Sequence, residues 1–210
     1  MALALIEAGA RAVYCVDLPK IPGEDFQKAR DYADKMKDKL GEGRLEYISA
    51  NVTDQKAMWH IGETIGDREN RLDVCVAAAG IFDEDTDCLE FPAEVFKQVL
   101  DVNVNGVLYT AQAAGRQMRR FSSGGSIILI ASMSGSIANQ ASQHTSLRLP
   151  ELLAFERRQH PFQDHSWVAY NTSKSAVLQL ARSMACELGK ERIRVNTLSP
   201  GYIYTKCAVS

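Results

Sequence analysis

The sequence lacks the features that would direct it to a membrane or a nucleic acid. No apolar run approaches the roughly 20 residues that a membrane-spanning helix needs. The apolar start, residues 1–15, is interrupted by Glu7 and has no basic segment of the kind that opens a signal peptide. The net charge is −2 and the pI is about 6.1, so no basic excess attracts nucleic acid or anionic lipid. We therefore expect a cytoplasmic protein with neither a nucleic-acid partner nor a membrane partner.

The cysteines form no recognisable framework. There are five, an odd number, and none of them lies in a Cys-x-x-Cys motif: Cys15, Cys75, Cys88, Cys186 and Cys207. This pattern is typical of reduced thiols in a cytosolic protein. Cys15 and Cys75 fall within predicted strands, where we expect them to act as small buried hydrophobic residues.

The remaining composition, 46% hydrophobic and 24% charged, is that of a globular protein. Short apolar runs predict strands at residues 12–16, 44–49, 72–78, 126–131 and 193–198. Longer amphipathic runs predict helices at residues 2–8, 24–40, about 54–65, 92–120 and 167–188, with 92–120 being either one helix or two abutting helices. The alternation of nearly continuous apolar strands with helices indicates an α/β fold with a parallel sheet covered on both faces. We see no repeat or linker, so residues 1–210 are predicted to form a single domain.

Small or polar residues follow each predicted strand. In open α/β sheets, ligands bind beyond the carboxyl ends of the strands, so these positions are candidates for a binding site. The structural alternative is that small residues simply begin tight loops. Five such positions all lie at the carboxyl end of a predicted strand, which favours the ligand site: Asp17, Asn51 with Val52, residues 77–80, Ser132 and residues 199–201.

Asp17 indicates a dinucleotide. An acidic residue at the end of this strand of a βαβ unit accepts hydrogen bonds from the hydroxyl groups of the adenosine ribose. The alternative is that Asp17 only caps a helix. The glycine-rich motif G-x-G-x-x-G that usually accompanies such a residue is absent from the sequence, which begins within the helix that the motif would precede.

Tyr170 and Lys174 lie four residues apart, so they share one face of the predicted helix. A tyrosine phenol is a poor base at neutral pH, and a neighbouring ammonium group lowers its pKa. The hydroxyl of Ser132 can hold a substrate oxygen against the phenol, which suits the interconversion of an alcohol and a carbonyl. The hydride must then pass to a cofactor, because no side chain accepts one. Taken alone, the Tyr–Lys pair also fits an amphipathic helix that carries both residues incidentally.

The motifs taken together resemble the short-chain dehydrogenase/reductase family. They occur in the family's order: "AAAG" at 77–80, "DVNVNG" at 101–106, "SIILIASMSG" at 126–135, "YNTSK" at 170–174 and "NTLSPGYIYT" at 196–205. The resemblance covers residues 2–207 except for the stretch before Tyr170. It is closest to members that act on sugars and polyols, such as sorbose reductase and arabinitol or mannitol dehydrogenases. It implies a Rossmann-like, doubly wound parallel sheet.

The resemblance also implies roles for individual residues. Tyr170 matches the general acid–base, and Lys174 matches the residue that lowers its pKa and binds the nicotinamide ribose. Ser132 matches the hydroxyl that orients the substrate. Asn103 matches the family's active-site Asn, which holds a water in a proton relay to the Lys.

Further residues match the family's cofactor contacts. The turn at Ala78, Ala79 and Gly80 replaces the family's N-N-A-G motif and lacks its Asn side chains. Asn51 stands where the family usually has an Asp that contacts the adenine, and an Asn carbonyl can accept the same bond. Asp17 favours NAD over NADP, because a carboxylate repels a 2′-phosphate. The expected cofactor-binding set is Asp17, Asn51, Val52, Ala79, Gly80, Tyr170, Lys174, Pro200, Gly201, Ile203 and Thr205, and no metal is expected.

The sequence departs from the family pattern in three places. The family's first strand and glycine loop are missing, and so is its last strand. In the family's sheet that first strand is central, and its loss would leave unpaired backbone on two neighbouring strands. The third departure is the stretch 133–165, of which 139–165 is the expected insertion, because a loop between a strand and a helix usually takes roughly 2–6 residues.

The insertion is open to three interpretations. His144, His160 and His165 suggest a metal site, which neither their spacing nor a carboxylate partner supports. A lid over the active site is a second possibility. The hypothesis we favour explains all three departures at once, through a gene-prediction fault with a late start, a retained intron and an early stop.

We therefore predict an NAD(P)-dependent oxidoreductase that interconverts a secondary alcohol, sugar-like or polyol, and a ketone. The rival prediction is an inactive fragment or pseudo-enzyme that keeps only a nucleotide-binding or partner-binding surface. The resemblance also implies a homo-oligomer formed through the helices at 92–120 and 167–188.

Overall fold

A computed structural model of the 210-residue chain describes residues 1–37, 43–82, 86–138, 167–201 and 203. Five strands are present in this part of the chain: β1 Ala12–Asp17, β2 Arg44–Ser49, β3 Val74–Ala77, β4 Gly125–Ile130 and β5 Ile193–Leu198. The α-helices are α1 Ala2–Glu7, α2 Glu24–Lys35, α3 Gln55–Glu69, α4 Ala93–Leu100, α5 Val107–Arg120 and α6 Val168–Leu188. A π-helical segment, Asp101–Gly106, joins α4 to α5, and two single 3₁₀ turns are Met133–Gly135 and Gly189–Glu191.

Local chemistry explains several boundaries. The side chain of Asp54 caps α3 by accepting a hydrogen bond from the N–H of Ala57 at 3.0 Å. Asn70 ends α3 in the left-handed conformation with φ 55°, a conformation that Asn tolerates well. Gly9 follows α1 with φ +91°, which glycine adopts without a steric penalty.

The strands form two parallel sheets among the described residues. β1 pairs with β2 from Ala12↔Arg44 to Asp17↔Ser49. The second sheet has the order β3-β4-β5, with Ile127 opposite both Cys75 and Val195. The parallel α/β architecture is thus confirmed, and the strands fall into two sheets at the place where the family's first strand was expected to be missing. Among the described strands, β1 pairs only with β2 and β3 pairs only with β4. The other edge of each of these two strands has no described partner, so the division lies between them.

Each sheet has its own hydrophobic core. The larger core packs the three-stranded sheet against α5 and α6 and contains Ile127, Leu129 and Met118, all fully buried. The smaller core packs β2 against α1 and α2 and contains Ile6, Ala33 and Leu45. The two clusters are separate, so the hydrophobic interior is interrupted at the same place as the sheet.

An ion-pair network at the amino ends of the strands connects the two-stranded sheet to helix α3. Glu69, at the end of α3, accepts hydrogen bonds from the Tyr14 hydroxyl at 2.5 Å, from Arg11 at 3.0 Å and from Arg44. Burial acts to raise the pKa of the Glu69 carboxyl, but these donors outweigh it and the pKa is lowered. The network therefore holds Glu69 as a charged carboxylate and connects the end of α3 to the two-stranded sheet.

Four cysteines are free thiols in the described residues, and Cys207 lies outside them. Cys15 and Cys75 lie in strands as predicted but are half-buried and not fully buried, and burial raises the pKa of the Cys75 thiol to about 12. None of the helices in the described part of the chain is long and apolar enough to cross a membrane. The expected insertion at 139–165 lies outside the described residues.

Candidate active site

Asn103 lies in the π-helical segment, and its carboxamide is fully buried. Its Oδ1 accepts a hydrogen bond from the N–H of Ile81 at 2.8 Å, and its Nδ2 donates to the carbonyl of Ile81 at 2.9 Å. The same Nδ2 donates to Oγ of Ser173 at 3.0 Å. Both amide hydrogens are therefore used by protein groups, and the side chain fixes the turn after β3 to helix α6.

Ser173 completes this connection. It is fully buried on α6, and its hydroxyl donates to the backbone carbonyl of Tyr170 at 2.7 Å. A continuous line of hydrogen bonds thus runs from Ile81 through Asn103 and Ser173 to Tyr170. This line fixes the position of Tyr170 relative to the end of β3.

Lys174 carries an amino group into the protein interior. The residue is 4% exposed, and its Nζ donates to the carbonyl of Ile130, the last residue of β4, at 2.8 Å. Burial lowers the pKa of Lys174 to about 8, because the charged form loses its hydration. The Nζ lies 5.5 Å from the centroid of the Tyr170 ring, so the predicted pair is brought together.

Gly80 borders the same amino group. A Cβ atom placed on Gly80 would lie 3.4 Å from Oδ1 of Asn103 and 3.6 Å from Nζ of Lys174. Gly80 is exposed, so its backbone forms an open floor beside these two polar groups. A ligand that reaches Lys174 would pass over this backbone.

Ser132 lies two residues after the end of β4 and is 8% exposed. Its Oγ accepts a hydrogen bond from the N–H of Ser134 at 3.2 Å, which leaves the hydroxyl hydrogen able to donate. The next residue, Met133, donates its N–H to the carbonyl of Pro200 at 3.1 Å. Ser132 and the Pro200–Gly201 loop are therefore neighbours, as two adjacent parallel strands place them.

Asp17 and Asn51 meet at the carboxyl end of the two-stranded sheet. Both are exposed, and the N–H of Ala50 donates to the carbonyl of Asp17 at 2.8 Å. Oδ1 of Asn51 accepts from the N–H of Thr53 at 3.0 Å and keeps one lone pair for a ligand. A Cβ on Gly106 would lie 2.6 Å from Cγ2 of Val52, so this end of the sheet rests against the π-helical segment.

Two aromatic side chains flank Tyr170. The Phe82 ring stacks on the Tyr170 ring with centroids 4.6 Å apart and an interplanar angle of 26°. Trp167 meets both rings edge-on, at 6.1 Å from Phe82 and 5.8 Å from Tyr170. Together the three rings form an aromatic cluster at the start of α6.

The structure places most of the predicted set at the carboxyl ends of the strands. Ile203 is 59% exposed, and Thr205 lies outside the described residues. Sequence reasoning missed Ser173, Phe82 and Trp167; the only available signal was their position within or beside the predicted motifs. No metal-binding group of three His, Cys, Asp or Glu residues occurs in the described ranges, and His144, His160 and His165 lie outside them.

The described residues fit the two ends of a nicotinamide dinucleotide. Asp17 offers an exposed carboxylate that can accept ribose hydroxyl groups, and Asn51 offers an amide oxygen beside it. At the other end, Lys174 uses one of its three N–H donors on Ile130 and keeps two for a ligand. Gly80 is exposed and borders the Lys174 amino group, so a ligand can approach that group over its backbone.

A family model described as enoyl-(acyl carrier protein) reductase matches residues 1–147 and 153–210. A short-chain dehydrogenase/reductase of Aspergillus versicolor, notP′, is 34% identical over 98% of this chain and 62% of its own length. The ribulose-forming D-arabinitol 2-dehydrogenase of Candida albicans is 34% identical over 78% of this chain and 50% of its own length. The chain thus spans about half to two thirds of the length of these relatives.

Among solved structures, a short-chain type dehydrogenase/reductase from Mycobacterium marinum is 33% identical. It superposes with a TM-score of 0.72 over 96% of this chain and 66% of its own. The similarity therefore extends across both sheets and both cores. Among the relatives by sequence, the D-arabinitol 2-dehydrogenase is of the polyol-acting kind that the motifs resemble.

Proposed function

The chain belongs to the short-chain dehydrogenase/reductase family, and from this premise we propose that it is an NAD(P)-dependent oxidoreductase. The proposed reaction is reversible hydride transfer between a secondary alcohol and a nicotinamide cofactor. The cofactor supplies the hydride chemistry when it is bound. The residues of this chain bind it, hold the substrate and move the proton.

The observation that carries the proposal is the buried amino group of Lys174 beside the Tyr170 ring, 5.5 Å from its centroid. A buried ammonium has few reasons to stand next to a phenol unless one of the two changes charge. We propose that Tyr170 is the general acid–base, taking the alcohol proton in one direction and returning it in the other. Lys174, in its protonated form, stabilises the phenolate.

Ser132 is proposed to orient the substrate. Its hydroxyl hydrogen can donate to the carbonyl or carbinol oxygen, while its Oγ remains held by the N–H of Ser134. In this proposal the donor of Ser132 holds the substrate oxygen against the phenol of Tyr170. The reacting carbon is then held in a single orientation, which accounts for much of the rate gain in such reactions.

Asn103 is proposed to act by positioning, because both of its amide hydrogens are already bonded to Ile81 and Ser173. A proton relay of the kind that the resemblance implies would not use these hydrogens. Removing the carboxamide should therefore displace Tyr170 and Gly80 rather than remove a proton carrier.

We propose that the cofactor is NAD rather than NADP. The exposed carboxylate of Asp17 suits the two free hydroxyls of an adenosine ribose and repels a 2′-phosphate. Asn51, Val52, Ala79, Gly80, Pro200, Gly201, Ile203 and Thr205 are proposed to complete the cofactor contacts.

The proposed substrate class is a polyol or its ketose. The support comes from the D-arabinitol 2-dehydrogenase of Candida albicans, which is 34% identical. The proposal concerns the whole protein, since the chain spans half of that relative's length.

The test is a titration of the purified chain with NADH and NADPH, followed by absorbance assays with NAD and a panel of pentitols and hexitols. We expect tighter binding of NADH than of NADPH, and reduction of NAD by at least one polyol. If neither NADH nor NADPH binds, the proposed oxidoreductase function is rejected. Asp17→Asn, as a comparison variant, should lessen the preference for NADH over NADPH.

The second candidate function is a pseudo-enzyme that binds nucleotide or a partner without turnover. The observation that favours it is the division of the sheet between β1 and β3. Asp17 ends a strand of the two-stranded sheet, whereas Lys174 lies on α6, which packs against the three-stranded sheet. Binding of NADH without turnover of any polyol would favour this candidate.

Three further expectations remain proposals. The chain forms one domain with an insertion at 139–165, it is cytoplasmic, and it associates into a homo-oligomer through the helices at 92–120 and 167–188. Light scattering of the purified chain tests the last of these, and a monomer would reject it.

A further inference from the structure

Phe82 combines exposure with a fixed position, which is unusual for an aromatic residue in a loop. The residue is 45% exposed, yet its ring stacks on the Tyr170 ring at 4.6 Å. Trp167, only 8% exposed, packs edge-on against the same pair. Part of the Phe82 surface therefore remains available to a ligand that approaches the phenol.

The backbone that carries Phe82 is fixed by buried polar contacts. Asn103 holds both the N–H and the carbonyl of the preceding residue, Ile81, at 2.8 and 2.9 Å. Through Ser173 the same carboxamide is connected to the backbone of Tyr170. The loop and the helix are thus held in register, and the contact between the two rings is fixed from both sides.

The groups around the reacting position divide into two chemical kinds. Ser132 and Lys174 are hydrogen-bonding groups that suit the oxygens of a substrate. Phe82 offers an apolar π surface, which suits C–H groups and not hydroxyls. A carbon chain or ring that places its oxygens toward Ser132 and Tyr170 would turn a C–H face toward Phe82.

We propose that Phe82 is a substrate-contacting, specificity-determining residue that stacks against the C–H face of the substrate next to the reacting carbon. This inference rests on the proposed function, because it concerns the same substrate site. Phe82 selects substrates in which the carbons flanking the carbinol carbon present C–H groups on the side that faces its ring. Substrates with a charged or bulky polar group at that position are disfavoured, because Phe82 offers it no partner.

The test measures binding without turnover. Trp59 and Trp167 are the only tryptophans, and Trp59 lies on α3, where it contacts Gln112 and Arg116. In a Trp59→Phe background, Trp167 alone reports on the aromatic cluster by fluorescence. The ligand is D-ribulose added to the chain saturated with NAD, a pair in which both members are oxidised and no hydride can move.

We expect Phe82→Ala to raise the dissociation constant for D-ribulose about tenfold, as the loss of one aromatic contact does. Phe82→Tyr, which keeps the π surface, should restore affinity to about twofold of the parent, and NAD affinity should not change in either variant. Phe121→Leu is the matched control, because it removes an aromatic ring at the C-terminal end of α5. This variant should bind D-ribulose as the parent does.

Two outcomes overturn the inference, and they are distinguishable. If the parent binds D-ribulose and Phe82→Ala binds it equally well, Phe82 does not contact the substrate and the proposed function stands. If the parent binds NAD but no D-ribulose, the proposed substrate class fails and the inference fails with it. Phe82→Leu replaces the alanine variant if the latter does not fold.

Discussion

Lys174 holds a titrating amine in a largely buried position, which lowers the stability of the folded protein while the amine is charged. The folded protein binds the proton of Lys174 less readily than the unfolded chain does, since burial lowers the pKa to about 8. The unfolded chain therefore holds more protons between about pH 8 and about pH 10.4, so stability rises with pH across that interval. Below about pH 8 the amine of Lys174 is charged in the folded protein, and its burial lowers the free energy of unfolding. The same charge is the one that stabilises a phenolate at Tyr170.

The prediction is that the free energy of unfolding of the wild type, relative to Lys174→Met, rises by about 3 kcal/mol from neutral pH to about pH 10.4. Urea unfolding at several pH values measures it. Lys56→Met removes an exposed lysine from α3 and should show no such rise. A difference between wild type and Lys174→Met that is independent of pH would show that Lys174 is not desolvated.

Asn103 and Ser173 form a buried pair whose removal leaves unpaired groups. Ser173→Ala takes away the acceptor of one amide hydrogen of Asn103 and should lower the free energy of unfolding by about 1–3 kcal/mol. Asn103→Ala breaks three hydrogen bonds and should cost about 3 kcal/mol or more. The double variant should cost less than the sum of the two, because the shared bond is lost only once.

Denaturant unfolding of the two single variants and the double variant measures this coupling. Ser183→Ala, at an exposed position of the same helix, is the control and should lie within about 0.5 kcal/mol of wild type. Strict additivity of Asn103→Ala and Ser173→Ala would contradict the hydrogen bond between them.

Helices α3 and α5 pack closely because glycine allows it. A Cβ on Gly62 would lie 2.7 Å from the backbone carbonyl of Ala113, an atom that cannot move without displacing α5. One turn later, a Cβ on Gly66 would lie 2.7 Å from Oε1 of Gln117 and 3.2 Å from its Cδ and Cγ, which are side-chain atoms and can shift without displacing the backbone of α5. The two glycines therefore provide a matched pair.

We predict that Gly62→Ala lowers stability by about 2 kcal/mol, as overpacking does, despite the higher helix propensity of alanine. Gly66→Ala should cost less than about 1 kcal/mol, since its clash is relieved by the Gln117 side chain. Thermal or urea unfolding of both variants tests this. Equal stability of the two would mean that α3 and α5 are not in close backbone contact.

At the level of the elements, the sequence was sufficient where the signal is local. The strands at 44–49 and 193–198 were predicted with the observed bounds, because short apolar runs between turn residues define them. Helix α3 runs to Glu69, four residues beyond the prediction, since Asn70 and not an earlier residue provides its left-handed end. The stretch 92–120 is helical from Ala93 to Arg120, as predicted, but the π-helical segment at 101–106 that joins its two α-helical parts was not predicted.

The site shows the same division between local and long-range information. The Tyr170–Lys174 pair follows from spacing along one helix. The clamp of Asn103 on Ile81 spans 22 residues in sequence, and its bond to Ser173 spans 70, so no local pattern predicts them. Phe82 was missed for the same reason, since only the folded chain places its ring on Tyr170.

For the whole molecule, the divided sheet and the divided core make the two halves unequal. Twelve buried residues form the core of the three-stranded sheet, and three form the core of the two-stranded one. The smaller half buries less apolar surface, and its strand β1 has one edge without a described partner. We therefore expect it to open more readily than the larger half.

Hydrogen exchange followed by mass spectrometry tests this expectation. Peptides from residues 2–37 and 43–49 should show at least about tenfold less protection than peptides from β4 and α6. Uniform protection across both halves would show that they unfold as one unit, and would contradict the separation of the two cores.

The central claim is that Tyr170 moves the proton in an oxidoreductase reaction. The most direct measurement is the rate of NAD reduction by D-arabinitol, compared between wild type, Tyr170→Phe and Tyr32→Phe, the last being an exposed tyrosine on α2. We predict that Tyr170→Phe lowers the rate at least about 100-fold while Tyr32→Phe leaves it unchanged. A Tyr170→Phe variant that reduces NAD at the wild-type rate would contradict the claim.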